Sequence, residues 1–321
     1  MENTTRLLWR QESDLAGRHL FIADADDGAL AQLPAASVTL HSDLVTVAGT
    51  QCSPWPVVPA EADLLVIILP KSRERLDWLL AALGHGLTQT TECWLVGPGK
   101  GGIRGALKQF AAVAGEPEAL DSARHCKLYR GWLTPQTGDF DPQPLLRRFQ
   151  AGELALVSAP GVFSHGRLDD GTALLLEALA EQPPSGAVLD MGCGAGVLSV
   201  TLARAGARVT ACDASQVAVW STQQSLAANG LQGEVLHSDL YRAVSGQFDA
   251  IVTNPPFHDG LERTTAVTQR LIADARRHLR PGGVLWMVAN RGLAYEQWLS
   301  AAFANVAVMR ENNRFRVWRC Q

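Results

Sequence analysis

The chain has 321 residues, a length typical of two domains of roughly 150 residues each. Its hydrophobic content of 47% and charged content of 19% exclude a mainly disordered or low-complexity protein. The net charge of −4 disfavours a partner rich in phosphate, although local clusters of basic residues leave such a partner open.

The sequence carries no recognisable targeting or metal-binding signal. No apolar run is long enough to span a bilayer, and the first residues mix charged with apolar side chains, unlike a secretion signal. The six cysteines are scattered, without the spacing of a metal site. We therefore expect a cytoplasmic protein with reduced cysteines, no bound metal and no membrane partner.

Apolar segments predict strands in the first half of the chain, at residues 19–24, 63–70, 93–97 and 125–130. The first of these runs into Ala25-Asp26-Asp27-Gly28, without the glycine-rich turn that follows the first strand of many nucleotide-binding folds. We therefore expect this half to bind no cofactor.

Basic residues follow two neighbouring strands of the first half. Lys71 and Arg73 come after one predicted strand, and Lys100 and Arg104 come after the next. Because the carboxyl ends of parallel strands meet at one edge of a sheet, these side chains are expected to converge on one face. Such a face would suit the positioning of RNA phosphates, whereas the alternative is an ordinary solvated surface.

A stretch with three prolines, residues 135–144, predicts a linker. It separates a domain at residues 1–140 from a second domain at residues 150–321. In the second domain, short apolar runs alternate with helical patterns, which is typical of a doubly wound parallel sheet. Strands are predicted at residues 187–190, 208–213, 233–239, 248–253 and 284–289. A helix is predicted to run through Arg280, and residues 306–320 predict a hairpin that turns at Asn312-Asn313.

The two halves repeat each other. Residues 63–70 match residues 249–256, residues 93–97 match 285–289, and residues 125–130 match 314–319. We interpret the chain as an α/β protein with two tandem Rossmann-like domains, of which the first is a degenerate copy.

A glycine-rich turn follows the first strand of the second domain. It has the pattern G-x-G-x-G, with Gly192, Gly194 and Gly196 after Asp190. A dinucleotide fingerprint needs glycine or alanine at position 197, where this chain has valine. An acidic residue before G-x-G-x-G instead suits S-adenosylmethionine, which implies a class I methyltransferase domain.

Three carboxylates lie at predicted strand ends, where open α/β sheets bind ligands. Asp190 is expected beside the ammonium group of the cofactor. Asp213, at the end of the second strand, is expected to bind the ribose hydroxyls, and Asp239 is expected near the adenine edge.

The fourth strand of the second domain leads into Asn254-Pro255-Pro256-Phe257. An exocyclic base amine is a poor nucleophile because its lone pair is delocalised into the ring. Two acceptors for its N–H groups, the Asn254 side chain and the Pro255 carbonyl, would free that lone pair. Consecutive prolines remove backbone donors from the loop, and Phe257 could stack on a flipped base. These residues predict a methyl acceptor that is an exocyclic amine of a nucleic-acid base.

These motifs resemble those of the bacterial ribosomal RNA guanine-N2 methyltransferases of the RsmC type, which act on 16S RNA of the small ribosomal subunit. The resemblance covers residues 160–164, 168–172, 190–199 and 254–260 and extends to the tandem domain layout. It implies a catalytic second domain and a first domain that aids folding and substrate binding. Phe163 and Ser164 match a segment that lies over the active site in that family. The implied partner is 16S rRNA in the assembled 30S subunit, with no obligate protein partner evident.

Three other interpretations remain open. The acceptor could be a guanine of the large-subunit RNA, because those methyltransferases share the tandem layout. It could be a glutamine amide of a protein, although such sites usually have tyrosine where this chain has Phe257. The chain could also be a non-catalytic RNA-binding assembly factor that has kept an old cofactor pocket.

Overall fold

The computed structural model describes residues 1–256, 262–291 and 295–321, and leaves the side chains of residues 262–264 undescribed. It divides into two compact units, Met1–Leu146 and Arg147–Gln321. Among the helices it describes, none is both long and apolar enough to cross a membrane.

The first unit is a seven-stranded sheet with helices on its faces. Its strands are β1 (His19–Ala23), β2 (Ser37–Ser42), β3 (Thr50–Cys52), β4 (Leu64–Ile68), β5 (Thr91–Pro98), β6 (Glu118–Ala123) and β7 (Cys126–Leu133). Its helices are α1 (Asn3–Trp9), α2 (Glu12–Leu15), α3 (Arg73–His85) and α4 (Ile103–Ala114). The strand order is β3-β2-β1-β4-β5-β7-β6, and of these seven strands β7 alone runs antiparallel to the others.

The second unit begins with a two-stranded hairpin and continues as a second seven-stranded sheet. Its strands are β8 (Arg147–Ala151), β9 (Leu154–Ser158), β10 (Ala187–Met191), β11 (Arg208–Asp213), β12 (Glu234–His237), β13 (Phe248–Thr253), β14 (Leu279–Asn290), β15 (Val306–Glu311) and β16 (Phe315–Cys320). Its helices are α5 (Asp170–Glu181), α6 (Val197–Arg204), α7 (Gln216–Ala228), α8 (Glu262–Ala275) and α9 (Tyr295–Ala302). The order is β12-β11-β10-β13-β14-β16-β15.

The two large sheets are copies of one topology. Their strand orders match one for one, and the central pairings have the same register, with Leu20 opposite Leu64 in one sheet and Val188 opposite Ala250 in the other. The strand β4 carries Asp63 just before it, and this carboxylate accepts a hydrogen bond from the first backbone N–H of β1. Asp249 makes the equivalent contact with the first N–H of β10. The prediction of two tandem Rossmann-like domains is confirmed.

Central strands of both sheets are buried on both faces, as parallel strands covered by helices must be. Every residue of β4 is buried, and so are the last four residues of β13. Each face of the second sheet packs into its own apolar cluster, one built around Trp286 and the other around Met287 on the neighbouring position of β14. This packing holds the carboxyl ends of β10 and β13 in place, where the candidate site lies.

The prediction that a helix runs through Arg280 was wrong about where this helix ends. Helix α8 ends at Ala275, a short 3-10 turn follows, and β14 begins at Leu279. Leu279 pairs with Phe248, whereas pairing of β14 with β16 begins only at Leu285. The first residues of β14 therefore have a neighbouring strand on one side only, which is where a proline such as Pro281 can sit in a sheet.

Candidate active site

The cofactor loop spans residues 192–196, between the end of β10 and the start of α6. Gly192, Gly194 and Gly196 all have positive φ, at 78°, 56° and 83°. A Cβ on Gly196 would also lie 3.1 Å from Thr222 on α7, so the loop passes that helix too closely for a side chain. In front of Gly192 there is open space, which leaves room for a ligand against the loop backbone.

Hydrogen bonds fix the loop from β11 and α7. The N–H groups of Gly192 and Cys193 both donate to the Cys212 carbonyl, at 2.8 and 3.1 Å. The hydroxyls of Thr222 and Ser225 donate to the carbonyls of Gly194 and Ala195, at 3.1 and 2.7 Å. Neither residue is predictable from the sequence, because a hydroxyl within a helix carries no local signal for a loop it anchors.

Asp190 lies beneath the loop and is fully buried. Its Oδ2 accepts a hydrogen bond of 2.5 Å from the Ser199 hydroxyl, whereas its buried Oδ1 has no hydrogen-bond partner among the described residues. Burial, together with the charge of Asp213, raises the pKa of Asp190 to about 7. A buried carboxylate oxygen that lacks a donor fits a cationic ligand group such as an ammonium.

The other two predicted carboxylates lie at the same edge of the sheet. Asp213 ends β11, and its carboxylate accepts from the backbone N–H groups of Gly194 at 3.0 Å and Ser215 at 2.9 Å. Asp239 follows β12, in a segment tied to β11 by the Ser238 N–H, which donates to the Asp213 carbonyl at 2.9 Å. The strands β10, β11 and β12 are neighbours, so their carboxylates surround one end of the sheet.

Asn254 lies beside the cofactor loop, because β13 and β10 are paired up to Thr253 opposite Met191. The Thr253 hydroxyl ties the two strand ends together by donating to the Met191 carbonyl at 2.8 Å. The Asn254 amide nitrogen donates to Asp169 Oδ2 at 2.9 Å and to Thr172 Oγ1 at 2.8 Å. Its carbonyl oxygen is buried and accepts no hydrogen bond within the described part of the chain.

The rest of the predicted acceptor tetrapeptide is described only in part. Pro255 is buried and Pro256 is exposed, so the stiff loop lies partly at the surface. Neither residue has a backbone N–H, and the loop therefore presents acceptors at this point. Phe257, predicted to stack on the base, lies outside the described residues.

The segment with Phe163 and Ser164 connects β9 to α5 and passes close to the cofactor loop. A Cβ on Gly194 would lie 3.9 Å from the side chain of Val162, the residue before Phe163. Phe163 itself is 62% exposed, so its ring is accessible to a ligand. Ser164 has a φ of 55°, a conformation in which the chain turns sharply.

The basic residues predicted to bind RNA lie in the first unit. Lys71 and Arg73 follow β4, Lys100 and Arg104 follow β5, and these strands are adjacent and parallel. All four side chains are exposed. The Arg73 guanidinium lies over α4, so close that a Cβ on Gly105 would be 2.7 Å from it. Arg73 therefore lies against the helix that carries Arg104.

In the first unit, a cluster of charged side chains occupies the place that corresponds to the cofactor loop. This cluster was not predicted from the sequence. Arg75, only 3% exposed, donates to Asp24 Oδ1 at 2.7 Å and to the Pro54 carbonyl at 3.2 Å, and lies 3.4 Å from an Asp43 oxygen. Trp78 shares the Pro54 carbonyl. The side chains of Arg75, Asp24 and Asp43 therefore occupy the edge of the first sheet that corresponds to the glycine turn of the second unit.

Within the described residues no group of three or more metal-ligating side chains comes together. The arrangement in the second unit instead combines a backbone cradle, three carboxylates and one oriented amide carbonyl. Such a set can hold a ligand with a cationic end and hydroxyl groups next to an amine that donates hydrogen bonds.

Comparison with known proteins gives consistent matches along the whole chain. The family model of the methyltransferase small domain matches residues 153–319, and that of its N-terminal domain matches residues 5–149. The ribosomal RNA small subunit methyltransferase C of Alcanivorax borkumensis is 52% identical over 99% of both chains, and the protein of that name from Pseudomonas entomophila is 41% identical over 99% of both. The T. thermophilus 16S rRNA N2 G1207 methyltransferase, RsmC, solved with AdoMet and guanosine, is similar with a TM-score of 0.85 and 29% identity, covering 100% of this chain and 92% of that one.

Proposed function

Because the chain belongs to the ribosomal RNA small subunit methyltransferase C family, we propose that it transfers a methyl group from S-adenosylmethionine to N2 of a guanine in 16S rRNA, and that Asn254 presents the acceptor oxygen to that amine. The observation that carries the role of Asn254 is its buried carbonyl oxygen, which has no partner among the described residues and lies beside the cofactor loop. The small-subunit name of the relatives favours 16S rRNA over large-subunit RNA.

The second unit supplies the residues that would hold the cofactor. The loop at Gly192, Gly194 and Gly196 leaves its backbone open to the methionine part, and the buried Asp190 oxygen would lie towards the ammonium group. Asp213 would bind the ribose hydroxyls, and Asp239 would lie at the adenine edge. When bound, S-adenosylmethionine supplies a methyl group on a positively charged sulfonium.

The acceptor residues would act on the nucleophile. Asn254 Oδ1 and the Pro255 carbonyl would each accept one N–H of the guanine N2 amine, which favours a tetrahedral nitrogen with an available lone pair. That lone pair forms the new N–C bond while the C–S bond breaks and its electrons remain on sulfur. One N2 proton is then lost to water. Positioning of the two reactants in line accounts for most of the rate, so no strong general base is needed.

The target base must leave its stacked position to reach this pocket. Phe163, exposed in a segment next to the cofactor loop, would stack on the base or its neighbour, and Ser164 would shape the turn that carries it. Phe257 would complete the stacking surface. The pairing of an exposed aromatic ring with an acceptor-only loop suits a planar base with an exocyclic amine.

The first unit would anchor the RNA. Lys71, Arg73, Lys100 and Arg104 are exposed at the edge of its sheet, and no ion pair joins them to a carboxylate in the described ranges. Contacts from such residues to phosphates position RNA without reading its bases. We propose that the substrate is the assembled 30S subunit in the cytoplasm, with no obligate protein partner. We further propose that the target is the guanine named for the T. thermophilus enzyme, G1207.

Transfer of labelled methyl groups tests this function. The purified chain is incubated with labelled S-adenosylmethionine and, in parallel, 30S subunits, 50S subunits and protein-free 16S rRNA, all from cells that lack the cognate methyltransferase. N2-methylguanosine in the 30S sample alone is the expected result. Label in the 50S subunit or in protein would overturn the proposed substrate. Label mainly in free 16S rRNA would overturn the proposal that the enzyme acts on the assembled subunit.

A further inference from the structure

Asp169 and Thr172 together bind the amide nitrogen of Asn254. Asp169 Oδ2 accepts from this nitrogen at 2.9 Å, and Thr172 Oγ1 accepts from it at 2.8 Å. Both residues lie at the start of α5, more than 80 residues away from Asn254 in sequence. We propose that Asp169 is a positioning residue, which with Thr172 orients the Asn254 carbonyl towards the methyl acceptor. This inference rests on the proposed acceptor role of Asn254.

A carboxylate can only accept hydrogen bonds, and this fixes which end of the amide faces it. If the amide were flipped, the carbonyl oxygen of Asn254 would approach Asp169 Oδ2 in place of the nitrogen, and two oxygens would repel each other. The terminal torsion of asparagine is otherwise broad and roughly two-fold. Asp169 thus removes the orientation in which Asn254 would present N–H donors, instead of an acceptor, to the guanine amine.

Asp169 is itself held rigidly. It is the N-cap residue of α5, where its Oδ2 accepts from the Thr172 N–H at 3.0 Å. Thr172 is 8% exposed, and α5 packs its apolar residues into the cluster around Trp286. The orientation of Asn254 is therefore set by a helix that is part of the core, and a site built on such an element keeps its geometry within a fraction of an ångström.

Two pairs of substitutions separate positioning from stability. Asp169→Asn and Asp169→Ser both leave a good N-cap residue. Only asparagine keeps an acceptor that reaches Asn254, because the Thr172 N–H selects its carbonyl oxygen for that position. Thr172→Ser keeps the hydroxyl, and Thr172→Val removes it at nearly constant shape. We expect Asp169→Ser and Thr172→Val to lower kcat on 30S subunits by about tenfold or more. In these two variants, KM for the subunits and Kd for S-adenosylmethionine should change less than about twofold. The conservative variants Asp169→Asn and Thr172→Ser should keep most of the wild-type kcat.

A double variant separates this inference from the proposed role of Asn254. In the Asn254→Ala background, Asp169→Ser should lower kcat less than about twofold further, because the amide it positions is gone. A kcat that falls by the same factor in both backgrounds would overturn the positioning role. If Asn254→Ala keeps wild-type turnover, the acceptor role itself fails, whatever Asp169→Ser does.

A measurement that needs no RNA completes the test. The side-chain amide signals of Asn254 in a ¹⁵N–¹H spectrum can be assigned by their loss in Asn254→Ala. Their exchange with solvent should be slow in the wild type and at least about tenfold faster in Asp169→Ser, because a partly buried hydrogen bond has been lost. Unchanged exchange would show that Asp169 does not hold the amide.

Discussion

Asp24 occupies the position in the first sheet that Gly192 occupies in the second, and both residues have positive φ, 59° and 78°. The correspondence follows from the shared register of β1 with β4 and of β10 with β13. By the same alignment Ile68 stands at the position of Asn254. The backbone turns in the same way in both copies. In the first copy, however, the turn carries the Asp24 carboxylate, which is bound to Arg75, and the apolar Ile68 stands where the second copy has the acceptor Asn254.

The Arg75 cluster is expected to stabilise the first unit. Arg75→Ala would leave the partly buried carboxylates of Asp24 and Asp43 without their cation, and loss of one partner of a buried ion pair costs about 3–5 kcal/mol. The free energy of unfolding, measured by urea denaturation, should fall by this amount. Arg73→Ala, an exposed arginine on the same helix, serves as the control and should change it by less than about 0.5 kcal/mol. An equally small effect of Arg75→Ala would show that the cluster contributes no net stability.

One molecule of S-adenosylmethionine is expected to bind per chain, in the second unit, because Arg75 and Asp24 fill the equivalent place in the first. Asp213→Ala should weaken binding by about 1.5–3 kcal/mol, the loss expected for hydrogen bonds to a charged group. Titration calorimetry gives both the number of sites and the affinity. Two sites, or full affinity in the variant, would contradict the assignment.

Asn254→Ala is expected to impair turnover and leave cofactor binding intact. The substitution removes an acceptor that acts on the amine in the transition state, so kcat should fall at least about a hundredfold, the scale known for single preorganised groups. The affinity for S-adenosylmethionine, measured by calorimetry, should change less than about twofold. Near-normal turnover on 30S subunits by the folded variant would rule out the acceptor role.

Cofactor affinity is expected to increase with pH below neutrality. The pKa of Asp190 in the cofactor-free protein is raised to about 7, so below this pH the carboxyl is mostly neutral and must lose its proton to bind an ammonium. Affinity should therefore rise up to about tenfold per pH unit below pH 7 and level off above it. S-adenosylhomocysteine is the better probe, because its ammonium stays protonated between pH 5.5 and about 7.5. Asp190→Asn should remove the dependence, and an unaltered slope in that variant would assign it to another group.

The raised pKa of Asp190 makes the stability of the fold decrease with pH, whereas it makes cofactor affinity increase. A carboxyl whose pKa is higher in the folded than in the unfolded protein favours folding most when it is protonated. The free energy of unfolding of the cofactor-free protein therefore loses this contribution as pH rises from the ordinary carboxyl range to about 7. Bound cofactor offsets the loss because its positive charge favours the ionised carboxylate.

The sequence was sufficient to predict the elements and residues whose signals are local. The cofactor turn and Asn254-Pro255 each follow a buried strand directly, and strands β11 and β13 have the predicted bounds. The predictions of the tandem fold and of an rRNA methyltransferase are confirmed by the family matches, and the similar RsmC structure was solved with AdoMet. Methylation of 16S rRNA stays a proposal. The roles of the individual site residues stay predictions.

Contacts between distant segments could not be predicted in this way. Asp169 was noted as part of a motif, but its bond to Asn254 joins residues that are 85 positions apart. The hairpin of β8 and β9 was missed. On the side away from β8, strand β9 donates backbone N–H groups to the side chains of Ser225 on α7 and of Asn229 at the C-cap of α7, and not to another strand. A serine within a helix and an asparagine at its C-cap are both ordinary, so the sequence alone contains no sign of this arrangement.

The basic edge of the first unit is expected to determine how tightly the enzyme holds RNA. Lys71→Glu with Arg73→Glu reverses two charges after β4, and adding Lys100→Glu with Arg104→Glu reverses two more after the adjacent β5. With each phosphate contact that is lost, RNA binding releases fewer counterions. The affinity for 30S subunits should therefore fall, and the slope of log Kd against log salt should become shallower by about 0.7–0.9 per contact.

The matched control is Arg204→Glu with Arg208→Glu. These two exposed arginines lie in the second unit, at the end of α6 and the start of β11, away from the strand ends that form the candidate site. Filter binding at several salt concentrations gives the slope, and calorimetry should show unchanged S-adenosylmethionine binding in every variant. If the quadruple variant folds correctly and keeps the affinity and salt slope of the control, these four residues form only a solvated surface, and the RNA anchor must be sought elsewhere on the chain.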